Sequence, residues 1–87
     1  MSWPISIKNS FKKQYKRMGV TRQDRVNTAL NELANSQDPT KLGTYKKSMQ
    51  VYSYELGNHD RIIYSFDPKD GIELIRVCDH KSAYMKD

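Results

Sequence analysis

HDRIIYSFDPKDGIELIRVCDHKSAY, residues 59–84, is the stretch on which the architecture turns. RIIYSF and IELIRV are short runs rich in β-branched and aromatic residues. DPKDG between them has proline second and glycine last, the composition of a tight turn. The reading is two consecutive strands followed by a polar tail. Arg61 opens the first strand, and His80 and Tyr84 follow the second. A cation, a titratable imidazole and a phenol at one end of a small sheet, in a chain of net charge +5, point to a surface that handles phosphodiesters.

Upstream, MQVYSYEL alternates, with Tyr52, Tyr54 and Leu56 on one side and Val51, Ser53 and Glu55 on the other. Gly57-Asn58 is a hairpin signal leading into RIIYSF. The Lys- and Gly-rich segment Lys41 to Ser48 reads as a loop. Before it, Val26, Ala29, Leu30 and Leu33 recur at the spacing of a helix with one apolar face. Thr21 is expected to cap that helix with Asp24 in its first turn, and the run Asn35 to Pro39 ends it. SFKKQYKRM is a first helix, capped by Asn9 or Ser10 and ended by Gly19, with Phe11, Tyr15 and Met18 inward and Lys12, Lys13, Lys16 and Arg17 in solvent. Trp3 to Lys8 is an opening strand in which Ile5 and Ile7 share a face. Pro4, which lacks an N–H, suits its start. The expected fold is therefore α+β: strand, helix, helix, then a three-stranded antiparallel meander. Both helices cover one sheet face and leave the other free for a site.

Eighty-seven residues make one domain, 1–87. Fifteen Lys and Arg against ten acidic residues, and a pI near 9.4, favour an acidic partner. A single cysteine, Cys78, excludes an internal disulfide and a Cys-based zinc cluster; it reads as a small packed residue. No signal peptide and no apolar run of membrane-spanning length is present, so the expected setting is the reducing cytoplasm, away from membranes.

This element order, and the wording of the last third, resembles the RelE/ParE superfamily of type II toxins. The residues that carry the resemblance are Tyr52 to Gly57, then Arg61-Ile62-Ile63-Tyr64, then Ile75-Arg76-Val77 with His80 and Tyr84. The segment Gly43 to Ser48, with Lys46 and Lys47, is similar to the basic loop before the meander. RelE-type members cut messenger RNA in the ribosomal A site and are silenced by a cognate antitoxin. ParE-type members share the fold, inhibit DNA gyrase and catalyse nothing. The resemblance thus implies a RelE-like fold and an endoribonuclease that needs no cofactor or metal. Its partners would be an antitoxin, messenger RNA and the ribosome with its 16S RNA. A gyrase inhibitor or a decayed toxin is the alternative. Oligomeric state stays open.

Cleavage of RNA by its own 2′-hydroxyl requires a base for that hydroxyl, a cation for the phosphorane and an acid for the leaving 5′-oxygen. Arg61 suits the cation role, since a guanidinium binds two phosphate oxygens at once; the bland reading is a salt bridge with Asp60, Glu73 or Glu55. His80 is the acid or base candidate, with Asp79 beside it to raise its pKa. Tyr84 is expected to stack on or orient the substrate, its phenol being a poor base at neutral pH. Ser53 and Glu55 stand at outward positions where many RelE relatives carry basic residues. Glu55 is either a general base or a cross-strand partner of Arg61. Lys46, Lys47, Ser53 and Arg76 are candidate substrate contacts, the lysines replacing the cations missing from positions 53 and 55.

Overall fold

The computed structural model describes residues 2–57 and 60–79 of the chain. β1 (Ile5–Ile7) leads into α1 (Asn9–Lys16) and α2 (Val20–Asn35), and a 3-10 turn at Pro39–Lys41 follows. Then come β2 (Thr44–Lys46), β3 (Val51–Glu55), β4 (Asp60–Asp67) and β5 (Gly71–Asp79). The strands form one sheet in the order β1-β5-β4-β3-β2, with β1 parallel to β5 and every other pair antiparallel. The meander is the one that the alternation in the sequence implies.

β2 is the addition. It lies inside the segment read as a loop and pairs with β3 through Thr44–Ser53, Tyr45–Tyr52 and Lys46–Val51. The hairpin between them closes without Gly or Asn: Gln50 takes φ 56 and its N–H donates to the Lys46 carbonyl at 2.7 Å. The helix starts also differ from expectation. α1 starts after Lys8 and α2 after Gly19, neither with a side-chain cap. Ser10 is drawn away to β5, Thr21 lies one residue inside α2, and the first turn of α2 holds no acidic residue, so Asp24 lies beyond it. Gly19 opens α2 at φ −68 instead of closing α1 in a left-handed conformation.

One face of the sheet carries the core. Ile62, Tyr64, Ile72, Leu74 and Val77 meet Phe11, Val26, Ala29 and Leu33 from the helices and Met18 from the link between them, all buried. Each of the larger apolar side chains among them contributes about 1.5–3 kcal/mol on burial, which is how a chain this short offsets its ordering entropy. Tyr45, Tyr52 and Tyr64 form a cross-strand ladder, with ring centroids 5.1 and 5.4 Å apart. Tyr64 is fully buried and its hydroxyl donates to the Pro39 carbonyl at 2.6 Å, tying the 3-10 turn to the sheet. At the N-terminus, Trp3 lies edge-on to Phe66 at 4.8 Å and its indole N–H donates to the Ser36 carbonyl at 2.7 Å.

β1 docks where β5 begins. The Ile72 N–H donates to the Pro4 carbonyl at 2.9 Å, and Gly71 sits at φ 86 directly against Pro4. A Cβ there would collide with the Pro4 carbonyl oxygen, so glycine is required both for the turn and for the docking. β1 ends at Ile7, and past Leu74 the same edge of β5 is met by α1. The Ser10 hydroxyl donates to the Ile75 carbonyl, and the Val77 N–H donates to Gln14 Oε1 at 2.8 Å. A short helix stands in for a strand there and leaves these edge groups paired.

Burial pushes the Tyr64 phenol up to about 12, against a smaller opposing pull from the Gly43 backbone. Burial, and then the hydrogen bond to Glu32, take Tyr54 to about 12. Both lie above the ordinary value of 10.0, so their contribution to stability is complete below that pH and is lost as the pH rises towards 12. Following tyrosinate absorbance against pH should show these two of the six tyrosines ionising late and together with loss of helical circular dichroism. In Tyr64→Phe, which leaves the Pro39 carbonyl with the longer bond from the Leu42 N–H at 3.4 Å, one late ionisation disappears and stability at neutral pH falls by about 1 kcal/mol.

Candidate functional site on the open sheet face

The face opposite the helices begins with two rows of paired residues. Glu55 on β3 pairs with Arg61 on β4, which pairs with Cys78 on β5. In the next row Thr44 on β2 pairs with Ser53, Ser53 with Ile63, and Ile63 with Arg76. Lys46 enters one row further on, opposite Val51. Arg61 and Arg76 are therefore diagonal neighbours on adjacent strands, a relation that puts side-chain roots about 7–8 Å apart.

Arg76 reaches this face through an irregularity. The β4–β5 register shifts between Ile63 and Tyr64, so that Tyr64 pairs with Leu74 and Ile75 is the extra residue. Ile75 packs with Val51 and Ile63 in a small apolar cluster on the open side, beside Arg76. The clamp from α1 grips the residues flanking Arg76, through the Ile75 carbonyl and the Val77 N–H. That clamp was not legible beforehand: Gln14 sits among four basic residues on a helix whose polar side looked merely solvated.

Arg61 is engaged by Glu55, with Nη2 to Oε1 at 2.6 Å. The guanidinium side chain is 18% exposed and the carboxylate 67%. Of the ion-pair partners considered for Arg61, Glu55 is the one found here. Asp60 turns to the helix side and is buried under Arg22 of α2, which donates from Nε at 2.9 Å and from Nη2 at 2.6 Å. Glu73 lies 3.9 Å from Lys8. The Arg22–Asp60 fork fixes the start of β4 to the start of α2, and so sets the position from which Arg61 projects. Sequence reading missed it, since an Arg in a helix and an Asp in a hairpin, thirty-eight residues apart, carry no local signal.

Ser53 faces the open side as expected but is only 3% exposed. Lys46 is half-buried on β2, and Lys47 is exposed in the turn that follows. His80 and Tyr84 lie outside the described residues, as does His59; Cys78 and Asp79 are placed by backbone alone. Among the described residues no group of three or more His, Cys, Asp or Glu side chains is placed to hold a metal, and no helix is long and apolar enough to cross a membrane. What the face offers chemically is anion recognition: two guanidinium groups and a lysine on a rigid sheet.

No protein-family model matches this chain, and no curated protein sequence does. Solved structures do match. A chain of the intact E. coli RelBE toxin–antitoxin complex superposes with a TM-score of 0.77 at 15% identity, covering 90% of this chain and 96% of that one. The archaeal RelE–RelB complex from Pyrococcus horikoshii OT3 gives 0.70 at 20% identity, covering 91% and 96%. The RelB–RelE antitoxin–toxin complex from Methanococcus jannaschii gives 0.67 at 23% identity, covering 91% and 94%. A two-helix α+β domain with one covered and one open sheet face is thus the class. Within that class the chain has the RelE fold, over nearly its whole length.

Gln14→Ala removes the acceptor for the Val77 N–H and should cost about 1–3 kcal/mol by urea unfolding. The amide of Val77 should lose hydrogen-exchange protection before its neighbours on β4 do. Equal protection in both proteins would show that the clamp does not hold this part of β5.

Proposed function

We propose that this chain is the toxin of a type II toxin–antitoxin pair and that it cleaves messenger RNA, on the ribosome, by attack of the 2′-hydroxyl on the adjoining phosphorus. The reading rests on one observation above all. In a RelE fold, Arg61 and Arg76 stand diagonally on the open face, where a single phosphodiester can lie between them.

In this reaction the 2′-oxygen bonds to phosphorus while the bond to the 5′-oxygen breaks, giving a 2′,3′-cyclic phosphate and a free 5′-hydroxyl. One proton leaves the 2′-hydroxyl and one is delivered to the 5′-oxygen. Arg61 and Arg76 neutralise the charge that builds on the two non-bridging oxygens. His80 carries one of the two protons, as an imidazole titrates near neutrality. Tyr84 stacks on or orients a base beside the cleaved bond. Lys46 and Lys47 hold the neighbouring phosphates, and Ser53 lies beneath the strand. Glu55, already bound to Arg61, acts through that arginine in our reading and leaves base catalysis to His80.

The cognate antitoxin would lay an acidic or amphipathic segment over the basic surface. The chain would act in the cytoplasm, where its substrate is. The absence of basic side chains at positions 53 and 55 favours a second reading, a ParE-like gyrase inhibitor with no catalytic step.

Expression of the chain without antitoxin should arrest growth. Primer extension on translated messages should then show new 5′ ends bearing a hydroxyl. The cuts should vanish in His80→Ala and fall at least a hundredfold in Arg61→Ala, a scale typical of lost acid–base or charge-stabilising groups. Arrest with intact messages and blocked supercoiling would instead establish the gyrase reading.

A further inference from the structure

The open face is basic, yet the arginine best placed for a phosphate already holds an anion. Glu55 and Arg61 are directly paired across β3 and β4, and the 2.6 Å contact joins a largely buried guanidinium to a largely exposed carboxylate. The two partners are therefore unequal. Arg61 is held in the sheet surface, at the base of a hairpin anchored by the Arg22–Asp60 fork, whereas Glu55 can rotate into water at little cost.

We propose that Glu55 is a specificity-determining residue, an internal counter-anion that makes the Arg61 site refuse isolated phosphates and admit a polyanionic strand. This inference rests on the reading of Arg61 as a phosphate contact. A carboxylate tethered one residue across the sheet competes at an effective concentration on the order of millimolar or above. Free inorganic phosphate at similar concentration gains nothing by exchange, because it replaces one good charge-assisted bond with another and leaves a carboxylate anion beside it. A phosphate within a strand differs. Its neighbours reach Arg76 in the adjoining row and Lys46 one row beyond, so its own local concentration at Arg61 is raised by the same tethering logic. Glu55 then swings out, and Arg61 receives the phosphate already oriented. Two basic residues at positions 53 and 55 would bind any anion more tightly and discriminate less.

The test uses the full chain and a fluorescent, 2′-O-methylated oligoribonucleotide that cannot be cleaved. Inorganic phosphate is the competitor, with chloride of matched ionic strength as control. Wild type should bind the strand and release no more of it to millimolar phosphate than to chloride. Glu55→Gln should bind the strand about three- to tenfold more tightly, and millimolar phosphate should now take back that gain where matched chloride does not, as expected for a released charge-assisted bond. Neither change should occur when Glu55→Gln is placed on Arg61→Ala. Glu73→Gln, the same charge change on the same face without contact to Arg61, should give a smaller gain and no phosphate sensitivity. If Arg61→Ala weakens strand binding but Glu55→Gln changes nothing, gains as much without Arg61, or matches Glu73→Gln, the counter-anion role is overturned while Arg61 keeps its place. If Arg61→Ala binds the strand as wild type does, the phosphate reading of Arg61 falls and this inference falls with it.

Discussion

The edge of β5 past Leu74 is the constraint that most of this structure answers to. β1 is only three residues long and stops at Ile7, which leaves the end of a nine-residue strand without a neighbour on that side. An unpaired edge there would expose backbone donors and acceptors, a template for aggregation. α1 resolves this by lying along the edge and lending Ser10 and Gln14 as surrogate partners. Because the helix must sit at that height, Phe11 and Met18 enter the core from α1 and its exit, α2 follows after a three-residue link, and the whole covered face of the sheet is set. The same grip secures the residues on both sides of Arg76. Core and candidate site thus share one anchor.

Electrostatics divide the two faces differently. On the covered side, Asp60 is neutralised by a two-pronged bond from Arg22 and is nearly inaccessible, which is tolerable only with such complete pairing. On the open side the pair is unequal, the Glu55 carboxylate largely in water and the Arg61 guanidinium largely covered. Adjacent residues in one strand, Asp60 and Arg61, point to opposite faces and so belong to two unrelated ion pairs. One holds the hairpin in place; the other lies on the open face with its carboxylate in solvent.

What the sequence revealed follows from which signals are local. Period-two alternation in Tyr52 to Leu56 fixes both faces of β3, and the spacing Val26, Ala29, Leu33 marks the inward side of α2, because neighbours along the chain decide those orientations. The turn at Asp67–Gly71 is legible for the same reason. β2 was hidden because three residues in a Lys-rich stretch carry little pattern, and because its hairpin uses Gln50 where glycine or asparagine is usual. The helix starts misled, since Ser10 and Thr21 are good caps in isolation and tertiary contacts assigned them elsewhere. For the site, the facing of Ser53 and Glu55 followed from alternation, and Glu55 opposite Arg61 was among the pairings considered. That Ser53 would be buried, that Ile75 would be an extra residue bringing Arg76 round, and that Arg22 would reach Asp60 are all long-range facts with no local trace.

The parallel pairing of Ile5 with Ile72 joins the first and last of the described strands. On a ribosome, β1 emerges well before β5 and must wait for both helices and the three intervening strands before its partner exists. Helices form early, but the sheet that buries their apolar sides cannot close until the final strand has left the exit tunnel. A product that stops before β5 therefore lacks both the strand that joins β1 to β4 and Arg76. The surface exists only once β5 has joined β1 to the meander, because Arg76 belongs to that strand.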